Sequence, residues 1–307
     1  MAASDSAGKP ANTNEDTLPG FLFALTAYLL WGVLPLYLHE VGHIPAAEVV
    51  AHRIIWSLPI AGLVLVAIGR TADVRKAIMN PAMLGMACIT AAFVTVNWSI
   101  YVYAIGSGHA LEGALGYYIN PLISVVIGAL LLGERLRGPQ MIAIGLAAIA
   151  VAILAYDAGG LPWISLGLAF SWGFYAYFRK TLPIGPNQGF FLEVLILTIP
   201  ALAYIIYAES TGSGHFLTGL SNNDTWLLLF SGVATAVPLM IYANGAKRLK
   251  LSTIGIMQYI APTMVFVIAV FVFDEPFGNT KLVAFCLIWA ALAVYSLPML
   301  FRRPAKA

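Results

Sequence analysis

Two stretches decide the architecture: Leu111–Leu136, LEGALGYYINPLISVVIGALLLGERL, and Ser252–Phe277, STIGIMQYIAPTMVFVIAVFVFDEPF. Each carries Tyr-Ile-x-Pro midway along an apolar run, with a glutamate thirteen residues after the proline. Sliding the chain along itself by 141 residues superposes Tyr118, Ile119, Pro121 and Glu134 on Tyr259, Ile260, Pro262 and Glu275. The same shift pairs Trp31-Gly32 with Trp172-Gly173, Pro45 with Pro186, Pro59 with Pro200, and Tyr101 with Tyr242. Apolar helices match one another trivially through Leu, Ala and Val, so the weight rests on these Trp, Pro, Tyr and Glu coincidences. The chain is a tandem repeat.

Composition fixes the solvent. The chain is 60% hydrophobic and 10% charged, far below the roughly 25% charged residues of soluble domains. It reads as an all-α integral membrane protein. A span needs about 20 mostly apolar residues, and ten segments qualify: 20–38, 47–69, 82–105, 110–132, 140–156, 162–178, 189–208, 225–245, 252–273 and 282–300. Residues 1–19 and 301–307 are expected to be cytoplasmic tails, the first disordered and with no cleavable signal peptide. Residues 20–156 and 162–300 form the two repeats.

Cytoplasmic loops are enriched in Lys and Arg. Basic clusters follow the second, fourth, sixth, eighth and tenth spans, at Arg70/Arg75/Lys76, Arg135/Arg137, Arg179/Lys180, Lys247/Arg248/Lys250 and Arg302/Arg303/Lys306. The opposite connections carry only Lys281. Both termini are therefore predicted inside. Five spans per repeat is an odd number, so the second repeat must enter from the other side. Ten helices in two inverted five-helix repeats is the plan of many secondary transporters, with the substrate held near the midplane between the halves.

The stretches AAEVVAHRIIWS, NWSIYVYA, LEGALGYYINPL with LLLGERLR, and RLKLSTIGIMQYIAPTMVF together resemble the EamA branch of the drug/metabolite transporter superfamily, in its RarD or chloramphenicol-sensitive type. The resemblance runs from about Gly20 to Arg303. It implies a ten-helix permease of the bacterial plasma membrane, the inner membrane, made of two EamA units, an exporter of small metabolites or drugs, with no catalytic residue.

Pro121 and Pro262 each remove the hydrogen bond to the carbonyl four residues earlier, at Tyr117 and Gln258. At about 1.5 Å per residue both prolines lie near the midplane. Tyr117, Tyr118, Asn120, Gln258 and Tyr259 are thus expected to line a substrate path. Asn97, Tyr101 and Tyr242, with the paired Trp31 and Trp172, complete the expected contact set. Ionisable groups inside a bilayer are costly and face interiors or wet cavities. Arg53, His52, Glu112 and Glu193 are read as structural or coupling groups, with Arg53 and Glu112 at matched depth as an ion pair.

His39-Glu40-Val41-Gly42-His43 fits the HExxH zinc pattern, but Gly42 and Pro45 argue against one continuous helix, and no metal is expected. Cys88 and Cys286 read as unbridged. No P-loop or nucleic-acid surface is present, and no cofactor is implied. The expected partners are lipid and a small-molecule substrate. Small-residue faces at Gly113, Gly116, Gly128 and Gly133, and along span five, suit close helix packing and leave a homodimer open. A non-transporting scaffold or sensor is the rival reading; an intramembrane enzyme is disfavoured because no span holds an interior aspartate.

Overall fold

The computed structural model describes residues 17–132, 136, 138–181, 183–217, 223–246, 248–249 and 251–300. The terminal tails, Glu134, Arg135, Arg137, Lys247 and Lys250 lie outside them. The described residues form helices and connections with no strand. In chain order the helices are α1 (Leu18–Glu40), α2 (Ala46–Ala67), α3 (Thr71–Ile78), α4 (Pro81–Gly106), α5 (Ala110–Leu132) and α6 (Gly138–Asp157). There follow α7 (Trp163–Thr181), α8 (Pro186–Ser210), α9 (Asp224–Ala246), α10 (Leu251–Met257), α11 (Ile260–Phe271) and α12 (Asn279–Leu300).

Local chemistry sets several of these ends. The Thr17 hydroxyl accepts from the Gly20 amide ahead of α1, and Asn80 Oδ1 accepts from the amides of Ala82 and Met83 at α4. In both helices a proline in the first turn costs no intrahelical bond. Eight helices, all but α3, α7, α10 and α11, are long and apolar enough to cross a membrane. Their outward faces carry Leu63, Leu130 and Ile199 at 71–78% exposure, as hydrocarbon solvent permits. Cys88 and Cys286 lie apart on exposed surface as free thiols.

Two features depart from the sequence expectation. The segment 71–78 is a short helix, α3, whose Val74 and Ala77 are buried while Arg75 and Lys76 remain exposed. The run 252–273 is broken in two, with Gln258 and Tyr259 in a turn between α10 and α11. Pro262 falls in the first turn of α11, where it offers no N–H to Gln258 and disfavours helical backbone at the residue before it. Pro121, at the equivalent place, sits inside an unbroken α5.

The packing repeats itself when the halves are exchanged. α1 packs on α9 and α11, as α7 packs on α4 and α5; α2 meets α8, α5 meets α11, and α6 meets α12. Contacts between helix ends give the directions. His215, after α8, donates its backbone N–H to Glu48 at the start of α2 and meets the same carboxylate through Nδ1 at 2.8 Å. Glu275, after α11, caps the start of α5. At the other pole, Gln188 in the first turn of α8 donates to Asp73 just beyond α2 at 3.2 Å. Helices α2 and α8 therefore run antiparallel, and so do α5 and α11.

Close crossings rest on missing side chains. A Cβ on Gly232 of α9 would lie 2.3 Å from the Trp56 carbonyl carbon of α2, and one on Gly116 of α5 would lie 2.9 Å from the Ser165 oxygen of α7. Gly145 in α6 has nothing within 4 Å; α6 packs on α12 through Ala143, Ala147 and Ala150 instead.

Candidate functional site

The unbroken α5 and the turn between α10 and α11 face each other across a central cavity of about 210 Å³. Its wall is built largely from positions 141 apart: Trp31 with Trp172, Leu34 with Tyr175, Val94 with Thr235, Trp98 with Leu239, Tyr101 with Tyr242, Tyr117 with Gln258, and Asn120 with Ala261. Both halves contribute matched positions to one chamber. Tyr28 and Phe190 add to the aromatic lining.

The polar groups in this wall are mostly fixed by the scaffold. Asn97, fully buried, donates from Nδ2 to the Leu168 carbonyl at 3.1 Å and to Ser171 Oγ at 3.0 Å. Its Oδ1 accepts from the Tyr117 hydroxyl at 3.3 Å. Tyr117 and Tyr101 meet edge to face, ring centroids 5.1 Å apart. On the opposite wall Trp31, Tyr28 and Tyr242 form a cluster with centroids 5.4–5.7 Å apart.

Arg53 on α2 is the wall's cation. Its Nε donates to Thr235 Oγ1 at 2.9 Å, and its guanidinium carbon lies 5.2 Å from the Trp98 ring centroid. Its Nη1 has no hydrogen-bond partner, and neither has Asn120 Oδ1.

The expected pairing of Arg53 with Glu112 does not form. Glu112 is half-buried on the first turn of α5. Arg53 instead turns to the cavity, where Thr235 and Trp98 hold it. Glu193 lies outside the lining; Arg179 Nε is 3.6 Å from its Oε1, and Tyr175 donates to its Oε2 at 3.2 Å. That network positions Tyr175, which does line the cavity. His52 is buried away from the cavity, its Nδ1 accepting from Trp56 Nε1 at 3.0 Å while its ring packs on Phe216.

Tyr118 and Tyr259 also stand outside the lining. They stack on one another, centroids 6.4 Å apart, and Tyr118 pairs with Thr263 Oγ1 at 2.8 Å and meets Phe285 of α12 edge-on. Pro262 lines the cavity whereas Pro121 does not.

His39 and His43 diverge, because α1 ends at Glu40: His39 stacks on Phe273, and His43 Nε2 is 3.1 Å from Asp224. Among the described residues no group of three or more His, Cys, Asp or Glu could hold a metal ion. Tyr28, Tyr175, Phe190 and Thr235 were not singled out from sequence. The offset of 141 from Leu34 and Val94 would have pointed to Tyr175 and Thr235 had lining at the first position been known.

Glu275, in the connection after α11, ties the halves at one pole. Its Oε1 and Oε2 accept from the amides of Ala110 and Leu111. Burial pushes its carboxyl above the ordinary carboxylate range, against the downward pull of those two amides and of Lys281.

Apolar helices of membrane-crossing length packed around one shared chamber are the plan of many membrane transporters. Residues 18–156 and 159–297 each match the EamA-like transporter family, and the chain belongs to that family. It is similar to Protein RarD of Streptomyces exfoliatus, 39% identical over 90% of this chain and 87% of that protein. It is also similar to the uncharacterized transporter YojE of Bacillus subtilis, 38% identical over 96% of this chain and 99% of that one. A solved crystal structure 21% identical superposes with a TM-score of 0.57 over 91% of this chain and 98% of its own, a likeness of fold.

Proposed function

We propose that the protein is a secondary transporter that exports small organic metabolites or drugs by alternating access, binding them in the central cavity. The observation that carries this reading is the cavity wall itself, made of positions 141 apart in the two halves. The antiparallel course of α2 against α8 and of α5 against α11 supports two inverted five-span halves, with α10 and α11 together counted as one broken span and α7 as another. Broken helices that line a cavity are a recurrent way to place backbone polar groups against a substrate. The basic-residue pattern supports cytoplasmic termini in a plasma membrane. Alternating access requires the tie between Glu275 and the start of α5 to open as the halves rock.

Three of the chain's seven tryptophans, Trp31, Trp98 and Trp172, line the cavity, so bound ligand should change intrinsic fluorescence. The test is a fluorescence screen of amino acids, amines and amphenicols on purified protein, followed by flux of each hit in proteoliposomes. Saturable flux, lowered by Trp172→Ala, is expected. Hits that bind in the cavity yet never cross the bilayer would leave the scaffold or sensor reading in its place.

A further inference from the structure

We infer that the cavity takes a small organic anion, a carboxylate foremost, whose charged end is held by Arg53 and whose apolar body lies against the indoles of Trp31, Trp98 and Trp172. This rests on the central cavity being the substrate site.

Arg53 is 4% exposed and lines the chamber. A guanidinium stays charged even when buried and presents five donors in a planar fork. One donor, Nε, is taken by Thr235 and the cationic face is covered by Trp98. Nη1 is left without a partner, and among the described residues no carboxylate forms an ion pair with Arg53. The titratable groups that act on it are the phenols of Tyr37, Tyr117 and Tyr101.

The other buried charges are treated differently. Glu193 has Arg179, Glu48 has His215, Asp224 has His43, and Glu275 has the amides of Ala110 and Leu111. An interior cation left uncompensated beside a cavity is costly for a membrane protein and marks a functional group. Snorkelling to an interface does not explain it, because the head group is sequestered beside the chamber. Packing symmetry does not explain it either, since the position 141 residues on is Val194, a wholly buried core residue. The charge is an addition to the repeated scaffold. The planar edge of a guanidinium matches the two oxygens of a carboxylate, and the surrounding indoles suit an apolar body more than a hydrated inorganic ion.

The test reads the sign of the cavity's field without a known substrate. In a Cys88→Ala, Cys286→Ala background, Ala261→Cys places a thiol in the cavity wall. Its labelling is timed with a sulfonate-bearing and a trimethylammonium-bearing methanethiosulfonate, each normalised to a free thiol in water. The sulfonate should react about tenfold faster or more, given the strength of an uncompensated unit charge in an enclosed chamber. Arg53→Gln should abolish that preference and Arg53→Lys keep it; should Arg53→Gln fail to fold, the ratio with Arg53 intact decides alone.

Phenylacetate should slow the labelling, whereas phenylacetamide and sodium sulfate at the same concentration should not. Equal normalised rates for the two reagents would overturn the anion assignment while leaving the cavity as the site. Equal protection by phenylacetamide, none by phenylacetate, or full protection by sulfate would overturn the organic carboxylate. Failure of both reagents to react from either side of the membrane would remove the cavity reading itself.

Discussion

Gly232→Ala should be among the most damaging single-methyl additions in this protein. The new Cβ would stand 2.3 Å from the Trp56 carbonyl carbon and 2.4 Å from its oxygen, where ordinary contact begins at 3.4 Å. Both atoms are backbone, so no rotamer change relieves the clash, and α9 must retreat from α2 by about 1 Å. The same crossing carries the 2.9 Å bond from Arg53 Nε to Thr235 and the contact from Ser57 Oγ to the Gly232 carbonyl. A retreat of that size stretches the first to about 4 Å, beyond hydrogen-bond range. Overpacking costs about 1–3 kcal/mol and a hydrogen bond to a charged group about 1.5–3 kcal/mol. The two overlap because one displacement causes both, so a net loss of about 2–4 kcal/mol is expected. Gly145→Ala is the control: with nothing within 4 Å it should be neutral or gain up to about 1 kcal/mol from helix propensity. Equilibrium unfolding in mixed micelles, followed by tryptophan fluorescence, measures both. If the two variants agree within about 0.5 kcal/mol, the close crossing of α2 and α9 is not where the structure puts it.

Glu275→Ala removes the acceptor from two amides at the start of α5 and should destabilise by about 2–5 kcal/mol, with Glu275→Gln costing less, in the same unfolding assay. Arg53→Gln and Glu112→Gln should combine additively within about 0.5 kcal/mol because the residues do not pair, whereas Arg179→Gln and Glu193→Gln should show a clear coupling energy. A reporter fused to the C-terminus should register as cytoplasmic; an extracytoplasmic signal would contradict the orientation drawn from the basic clusters.

The apolar runs were legible because bilayer solvent leaves little choice: α2 covers 46–67 where hydropathy drew 47–69, and α8 covers 186–210 against 189–208. The different fates of Pro121 and Pro262 were not legible, since both sit in Tyr-Ile-x-Pro. Around Pro121 the neighbouring contacts hold the helix together, with Gly116 pressed on α7 and Tyr117 bonded to Asn97; such tertiary support does not appear in a single helix's pattern. The helix α3 escaped notice because TADVRKAI, although amphipathic with Val74 and Ala77 on its buried side, is too short and too charged to count as a span. Trp31, Asn97, Tyr101, Tyr117, Asn120, Trp172, Tyr242 and Gln258 were reachable from the repeat and lie in the cavity wall. Tyr118 and Tyr259 share that repeat but point to α12, because adjacent residues on a helix face different neighbours. The pairing of Arg53 failed for a related reason: equal depth says nothing of bearing around the helix axis.

A chamber assembled from matched positions would, were its two sides chemically the same, offer any guest two poses of equal energy related by a half-turn. Trp31 and Trp172 are alike, as are Tyr101 and Tyr242, but the other pairs are matched in position and not in chemistry: Val94 is paired with Thr235, Trp98 with Leu239, and Tyr117 with Gln258. That mismatch lifts the degeneracy. Under the proposed alternating access, a guest would bind head-first in one sense only, and when the halves exchanged roles it would meet walls unlike those it entered by. In that proposal the duplicated scaffold would supply the rocking symmetry, and the unlike pairs would give the passage its polarity.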